Sequence, residues 1–270
     1  MEAPLRIAAV ADLHYDRHGA GKHAALFEAV SEAADVLLLC GDLTDYGQVE
    51  EAELLAQDLH QHCSVPVLAV LGNHDHEAGQ ADAVCEALDH AKVQLLDGGS
   101  CVVGGVGFAG TKGFGGGFGR WALSAWGEAP IKAFVQAAVD EALRLDAALS
   151  RLETEHRVEQ AVVLLHYAPI VGTVVGEPEE IYPFCGSGRL EEPLNRHAVA
   201  AAFHGHAHAG APEGATSAGV PVYNVSVPVL KKAFPDRPPF RLFELARTPE
   251  ATPEATPEPV PEPVPANGRD

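Results

Sequence analysis

The segment FHGHAHAG, Phe203–Gly210, places imidazoles at His204, His206 and His208 with only glycine and alanine between them. Upstream, Asp12 with His14, Asp42, Asn73 and His166 each follow a short apolar run. All are oxygen or nitrogen donors of the kind that bind borderline divalent metals, and no cysteine stands among them. These donors, with Asp45, His74 and Asp75 beside them at the same strand ends, outnumber the three or four protein ligands of a single catalytic zinc. They suit two ions about 3.5–4 Å apart that share a bridging carboxylate. A dinuclear metal centre is the economical reading.

Such a centre needs a rigid frame. LRIAAVA, DVLLLC and PVLAVL are separated by the helix-period stretches KHAALFEAVSEAA and QVEEAELLAQDLHQH, a pattern of βαβ units with parallel strands. In the second helix Ala52, Leu55, Ala56 and Leu59 share one face, which should pack on the sheet, with Glu50, Glu53 and Asp58 largely elsewhere. VQLLD, SCVVGGV and GFAG read as further strands, about Ala129 to Glu155 as one long helix, and AVVLLH, AAFHGH, VPVYNVS and FRLFEL as later strands. Open α/β sheets put ligand sites at the carboxyl ends of their strands, where every donor named above falls. Gly41, Gly72 and Gly205 each precede a donor, where close backbone approach needs a missing Cβ.

With 270 residues, 47% hydrophobic and 21% charged, the chain has the material for one large domain, taken as residues 1–247. No apolar run approaches the roughly 20 residues needed to span a bilayer, and the acidic start MEAPLRIAAVADLH lacks signal-peptide character. A cytoplasmic protein is expected. The net charge of −20 disfavours a nucleic-acid polymer or an anionic membrane as partner, so a small anionic substrate must be drawn in by something local and positive. Cys40, Cys63, Cys85, Cys101 and Cys185, scattered and without a CxxC, read as reduced and mostly buried. Residues 248–270 repeat Pro and Glu and are expected to be a disordered tail, a tether or a weak partner contact. His204 is expected to pack behind the site, and most histidines without motif support, His18, His23 and His76 among them, to lie at the surface. The run Gly104–Trp121, rich in glycine and aromatics, is read either as a flexible connection between sheets or as a loop facing the substrate.

Asp12-Leu13-His14, Gly41-Asp42-Leu43-Thr44-Asp45, Gly72-Asn73-His74-Asp75, His166 and Gly205-His206-Ala207-His208, in that order, resemble the calcineurin-like metallophosphoesterase superfamily. The resemblance spans residues 12–208 and implies a four-layer αββα sandwich, two mixed β-sheets flanked by helices. It implies that Asp12, His14 and His208 bind one divalent ion and Asn73, His166 and His206 another, with Asp42 bridging; Mn2+ is favoured over Fe2+ or Zn2+. It further implies that His74 sits beside the bound phosphate, oriented by Asp45, with Asp75 supporting from behind. GDLTDYG looks most similar to bacterial class III cyclic nucleotide phosphodiesterases. Tyr46 stands where protein phosphatases carry Arg, and His74 where lipid A precursor hydrolases do. The implied function is hydrolysis of small, nucleotide-like phosphodiesters by in-line attack of a metal-bridging hydroxide. The alternatives are a phosphomonoesterase or a non-catalytic interaction module.

Overall fold

The computed structural model describes residues 3–247. The first half builds a sheet by successive βαβ crossovers: β1 (Leu5–Val10), α1 (Ala24–Ala33), β2 (Val36–Cys40), α2 (Val49–His62), β3 (Val67–Val70), α3 (Ala81–His90) and β4 (Val93–Leu95). These four strands are parallel, and the first three are buried nearly end to end because both faces of the sheet are covered. The helix α2 starts with a reciprocal cap in which Glu51 accepts from the Gln48 backbone N–H.

The chain then crosses at Asp97–Gly98 into a second sheet. It contains β5 (Gly99–Val103), β6 (Val106–Gly110), β7 (Ala161–Leu164), β8 (Val199–His204), β9 (Glu213–Ala215) and β10 (Pro221–Asn224), in the order β5-β6-β7-β8-β10-β9. Its central strands β6, β7, β8 and β10 are parallel, with β5 and β9 antiparallel at the edges. The long helix α4 (Ala129–Thr154) and the short α5 (Tyr182–Cys185) and α6 (Glu191–Arg196) lie among these strands in the chain. After α7 (Val227–Ala233) the last strand, β11 (Arg241–Leu245), returns to pair antiparallel with β1. Both sheets are therefore mixed.

Strand alternation sorts the apolar side chains into layers. Ile7, Leu38, Val70, Phe108, Leu164 and Phe203 fill the space between the two sheets. The opposite face of the first sheet packs on Phe27, Leu55 and Leu88 of α1, α2 and α3. That of the second packs on Leu145, Leu149 and Leu194 of α4 and α6. The result is the expected αββα sandwich.

Several sequence expectations need correction. The Gly104–Trp121 run is not a flexible connection between sheets. Its Val106–Gly110 portion is β6, interior to the second sheet, and Phe108 is fully buried between the sheets. The glycines that follow are held by hydrogen bonds from Gly116 N to Pro183 O at 2.6 Å and from Gly117 N to Gly186 O at 2.8 Å. Asp58 is buried, accepting from Tyr15 Oη at 2.7 Å and from Gly21 N. His23 is buried too, its Nε2–H donating to Leu13 O at 3.1 Å. Cys40 and Cys185 are buried, while Cys63, Cys85 and Cys101 are only half-buried. The tail, residues 248–270, lies outside the described residues.

Candidate metal centre

The parallel strands of both sheets run the same way, so their carboxyl ends meet along one rim. β1 delivers Asp12 and His14, β2 delivers Asp42, and β3 delivers Asn73 and His74; β7 delivers His166, and β8 delivers His206 and His208. Two donor groups form there, Asp12 with His14 and His208, and Asp42 with His166 and His206, and a third, His14 with Asp45 and His74, adjoins the first; the ligand atoms in each lie within 4.8 Å of one another. Asn73 Oδ1 is 2.9 Å from His166 Nε2 and joins the second group. Asp42 reaches toward both, with Oδ1 3.3 Å from His166 Nε2 and Oδ2 3.9 Å from His14 Nε2.

The turns that carry these side chains are strained. Asp12, His14, Asp42 and His206 all have positive φ, at 61°, 45°, 48° and 68°, a region that residues with a Cβ seldom adopt. The neighbouring backbone is correspondingly tight. A Cβ on Gly72 would overlap Asp42, and one on Gly205 would overlap Asp12 and Ala11. The carboxylates brace the turns from within: Asp12 accepts from His206 N at 3.1 Å and Asp42 from His74 N at 2.9 Å. Asp75 is fully buried behind them, accepting from the Gly72, Leu43 and Thr44 backbone and the Thr44 hydroxyl.

Hydrogen bonds also decide which ring nitrogen each imidazole offers. His166 Nδ1 donates to Cys40 O at 3.1 Å, leaving Nε2 toward Asp42 and Asn73. His206 Nε2 donates to Phe184 O at 3.0 Å, leaving Nδ1. Both ring nitrogens of His14 are buried without a hydrogen-bond partner, although Asp45 Oδ1 lies 3.3 Å from Nδ1. An orphaned imidazole between two buried carboxylates fits a site built for cations.

The electrostatics agree. Burial works against both carboxylates, but the charges and hydrogen bonds of His208 and His166 outweigh it at Asp12, and those of His166 and His74 at Asp42; both pKa values fall below the ordinary range. Burial also opposes the His166 cation, yet Asp42 and Asp12 raise its pKa to about 9. At His206 burial dominates, reinforced by His166, and the pKa drops to about 4.

His74 stands next to this assembly, its ring centroid 4.7 Å from that of His14 and its Nε2 4.0 Å from Asp42 Oδ2. The expected partnership with Asp45 runs through the main chain: His74 Nδ1 donates to Asp45 O at 2.7 Å, while the Asp45 carboxylate faces His14. His204 points away, fully buried, with Nε2 2.8 Å from Thr173 Oγ1 and Nδ1 2.8 Å from Gly205 O. The Phe184 and Cys40 carbonyls that orient the imidazoles left no sequence signal, since any residue supplies a carbonyl.

Residues 5–210 match the calcineurin-like phosphoesterase family. The chain belongs to that family. Its members typically bind two divalent metals and hydrolyse phosphoric esters, and the Asp/His clusters of this phosphoesterase could hold such ions. Its fold is similar to that of a phosphopantetheinyl hydrolase from Mycobacterium tuberculosis, with a TM-score of 0.62 at 16% identity, covering 94% of this chain and 100% of that one. TT1561 of Thermus thermophilus is similar at a TM-score of 0.56 and 15% identity, covering 89% and 99%. GAP50, the anchor in the inner membrane complex of Plasmodium, is similar at 0.53 and 14%, covering 85% and 73%. No curated protein matches the phosphoesterase in sequence. Among the described residues no helix is long and apolar enough to cross a membrane.

Proposed function

We propose that this phosphoesterase is a cytoplasmic, dinuclear-metal phosphodiesterase of small substrates, nucleotides among them. Asp12, His14 and His208 would hold one ion and Asn73, His166 and His206 the other, with Asp42 placed between the two groups. The observation that carries this reading is the convergence of all seven donors on one rim, with both ring nitrogens of His14 buried and partnerless. A set of carboxylate, amide and imidazole without thiolate favours Mn2+, with Fe2+ and Zn2+ as alternatives. When bound, the ions activate water near neutral pH and neutralise charge on the phosphoryl oxygens.

The protein groups do the remaining work. With Nδ1–H given to Asp45 O, His74 turns Nε2 inward, and in its imidazolium form can donate a proton to the leaving oxygen. Asp42 and Asp12 hold the loops so that these groups need no rearrangement. A diester has two organic arms. A cleft of about 390 Å3 lined by Asp16, Arg17, His18, Tyr46 and Gln48 adjoins Asp45 and offers room for one of them, and Tyr167 and Phe184 lie against His206.

Turnover of bis-p-nitrophenyl phosphate with and without Mn2+, by wild type and His74→Ala, tests the proposal. Metal-stimulated wild-type activity that His74→Ala diminishes is expected. Absence of metal-stimulated turnover would sink it, and faster hydrolysis of p-nitrophenyl phosphate would make the protein a phosphomonoesterase.

A further inference from the structure

Among the described residues Lys112 is an ammonium near the centre without an ion-pair partner. Its carbonyl accepts from both His166 N and Tyr167 N at 3.0 Å, which pins the residue to the strand end that carries His166. Its side chain is half-buried, with Nζ 5.0 Å from the Phe114 ring centroid and 5.2 Å from that of Tyr167. Among the described residues its one hydrogen bond goes to Gly113 O at 3.0 Å, so two N–H groups remain free. The carboxylate of Glu141 lies near enough to favour the Lys112 charge, but among the described residues it makes no ion pair with it. One Glu141 oxygen accepts from Thr111 Oγ1 and Gly113 N, and the other pairs with Arg144. Lys22, the other lysine near the centre, is exposed and has its Nζ on the Leu13 and His14 carbonyls.

Tyr167 offers a second free donor. Its ring lies 4.4 Å from that of His206 and 5.5 Å from that of His166, and its hydroxyl has no hydrogen bond among the described residues. Beyond it Phe114, Phe134 and Phe184 continue as a wall of rings with centroid separations of 4.9 and 6.1 Å, ending in the exposed Phe184. A compact ammonium over the ring face and the phenol of the same ring suit a tetrahedral anion better than a planar carboxylate, which favours the fork of arginine.

We propose that Lys112 and Tyr167 bind a second, non-scissile phosphate of the substrate, so that this chain selects phosphodiesters that carry an additional phosphate on the arm lying along Phe114–Phe184. In a chain of net charge −20 a polyanionic substrate needs such a local cation. The inference rests on the phosphodiesterase reading for the bond that is cut, but the binding of the second phosphate does not.

Two paired measurements on the full chain test it. The first is calorimetric binding of thymidine 3′,5′-bisphosphate against thymidine 5′-monophosphate, without metal and with Mn2+, for wild type, Lys112→Ala, Lys112→Arg and Tyr167→Phe. Wild type should bind the bisphosphate about tenfold more tightly, as one charge-assisted contact predicts. Lys112→Ala should lose that preference, Lys112→Arg should keep most of it, and Tyr167→Phe should lose part. The second is the ratio of kcat/KM for the 5′-p-nitrophenyl ester of thymidine 3′,5′-bisphosphate over that of thymidine 5′-phosphate. This ratio should fall toward one in Lys112→Ala through the KM of the bisphosphate ester. Equal binding of the two nucleotides by wild type, or a preference that survives in both Lys112→Ala and Tyr167→Phe, overturns the inference. Failure of wild type to cleave either ester, with the binding preference intact, counts against the phosphodiesterase reading alone.

Discussion

The two sheets contribute unlike halves to one centre. From the first come the carboxylates Asp12 and Asp42, on turns with positive φ, each braced by a backbone N–H from a facing loop. From the second come only imidazoles, each aimed by a hydrogen bond to a carbonyl or carboxylate: His166 to Cys40, His206 to Phe184 and His208 to Asp12. The anionic half keeps its charge over the whole physiological range, because the pKa values of both carboxylates are lowered. The imidazole half titrates, and unevenly: His166 up to about 9, His206 down to about 4. The fixed negative charge thus comes from the first sheet alone, while the titrating imidazoles come mainly from the second, with His14 added by the first.

The sharpest way to break that division is to neutralise the first half. Asp42→Asn keeps shape but removes the charge shared by both donor groups. Loss of several kcal/mol of transition-state stabilisation corresponds to a fall in kcat of about 10³-fold, with bound metal dropping below two ions per chain by elemental analysis. His74→Ala leaves the seven donors in place and should lower kcat about 10²-fold on diesters with an alkyl leaving group. The loss should shrink with p-nitrophenolate, which departs without a proton; equal losses on both would assign His74 to something other than leaving-group protonation.

The titrating half makes a prediction about pH. A raised pKa means that His166 is protonated in the metal-free chain below about 9, so a cation binding at Nε2 must displace a proton. Between pH 6 and 8 the affinity for Mn2+ should rise at least about tenfold per pH unit, with one proton released from His166 and a further contribution from His208, whose pKa Asp12 raises. His206, at about 4, is already neutral there and adds none. Calorimetry in buffers of different ionisation enthalpy counts the protons, and a count near zero would remove His166 from the ligand set. The smallest effect belongs to His204. His204→Phe leaves the buried Thr173 hydroxyl without its ring partner, at a cost of about 1–3 kcal/mol in urea unfolding, with metal content unchanged.

Much of this arrangement was legible in the chain. Apolar runs punctuated by helix periods named the parallel strands, and each run ended in the donors that converge at the rim. The long helix was expected from about Ala129 to Glu155 and is found as α4. Other elements were not expected. β9 spans only Glu213–Ala215, too short to show an alternation, and α3 and α7 are short helices whose buried positions, Val84 with Leu88 and Val227 with Leu230, are single turns of pattern. The glycine-rich run misled because glycine suggests freedom. Here Gly110 lies against Val70 and Leu96, and a Cβ would have no room.

Asp45 marks the limit of reading roles from residue type. Its carboxylate was the natural partner for His74, but the main-chain carbonyl of the same residue serves instead, and spacing along the chain cannot tell one oxygen from the other. FHGHAHAG shows the same limit on a smaller scale. Its residue types at a strand end marked the stretch as metal-binding, and the resemblance to the metallophosphoesterase motif set His204 apart from its neighbours. Only the packing revealed that His204 turns inward to Thr173 while His206 takes its orientation from Phe184, because those partners lie 31 and 22 residues away and meet it solely through the folding of the second sheet. Composition and local pattern determined which atoms are available and roughly where the strands end. The tertiary structure decided which nitrogen each ring presents, which carboxylate lies between the two donor groups, and which lysine lies beside His166, since each of these depends on contacts between segments distant in sequence.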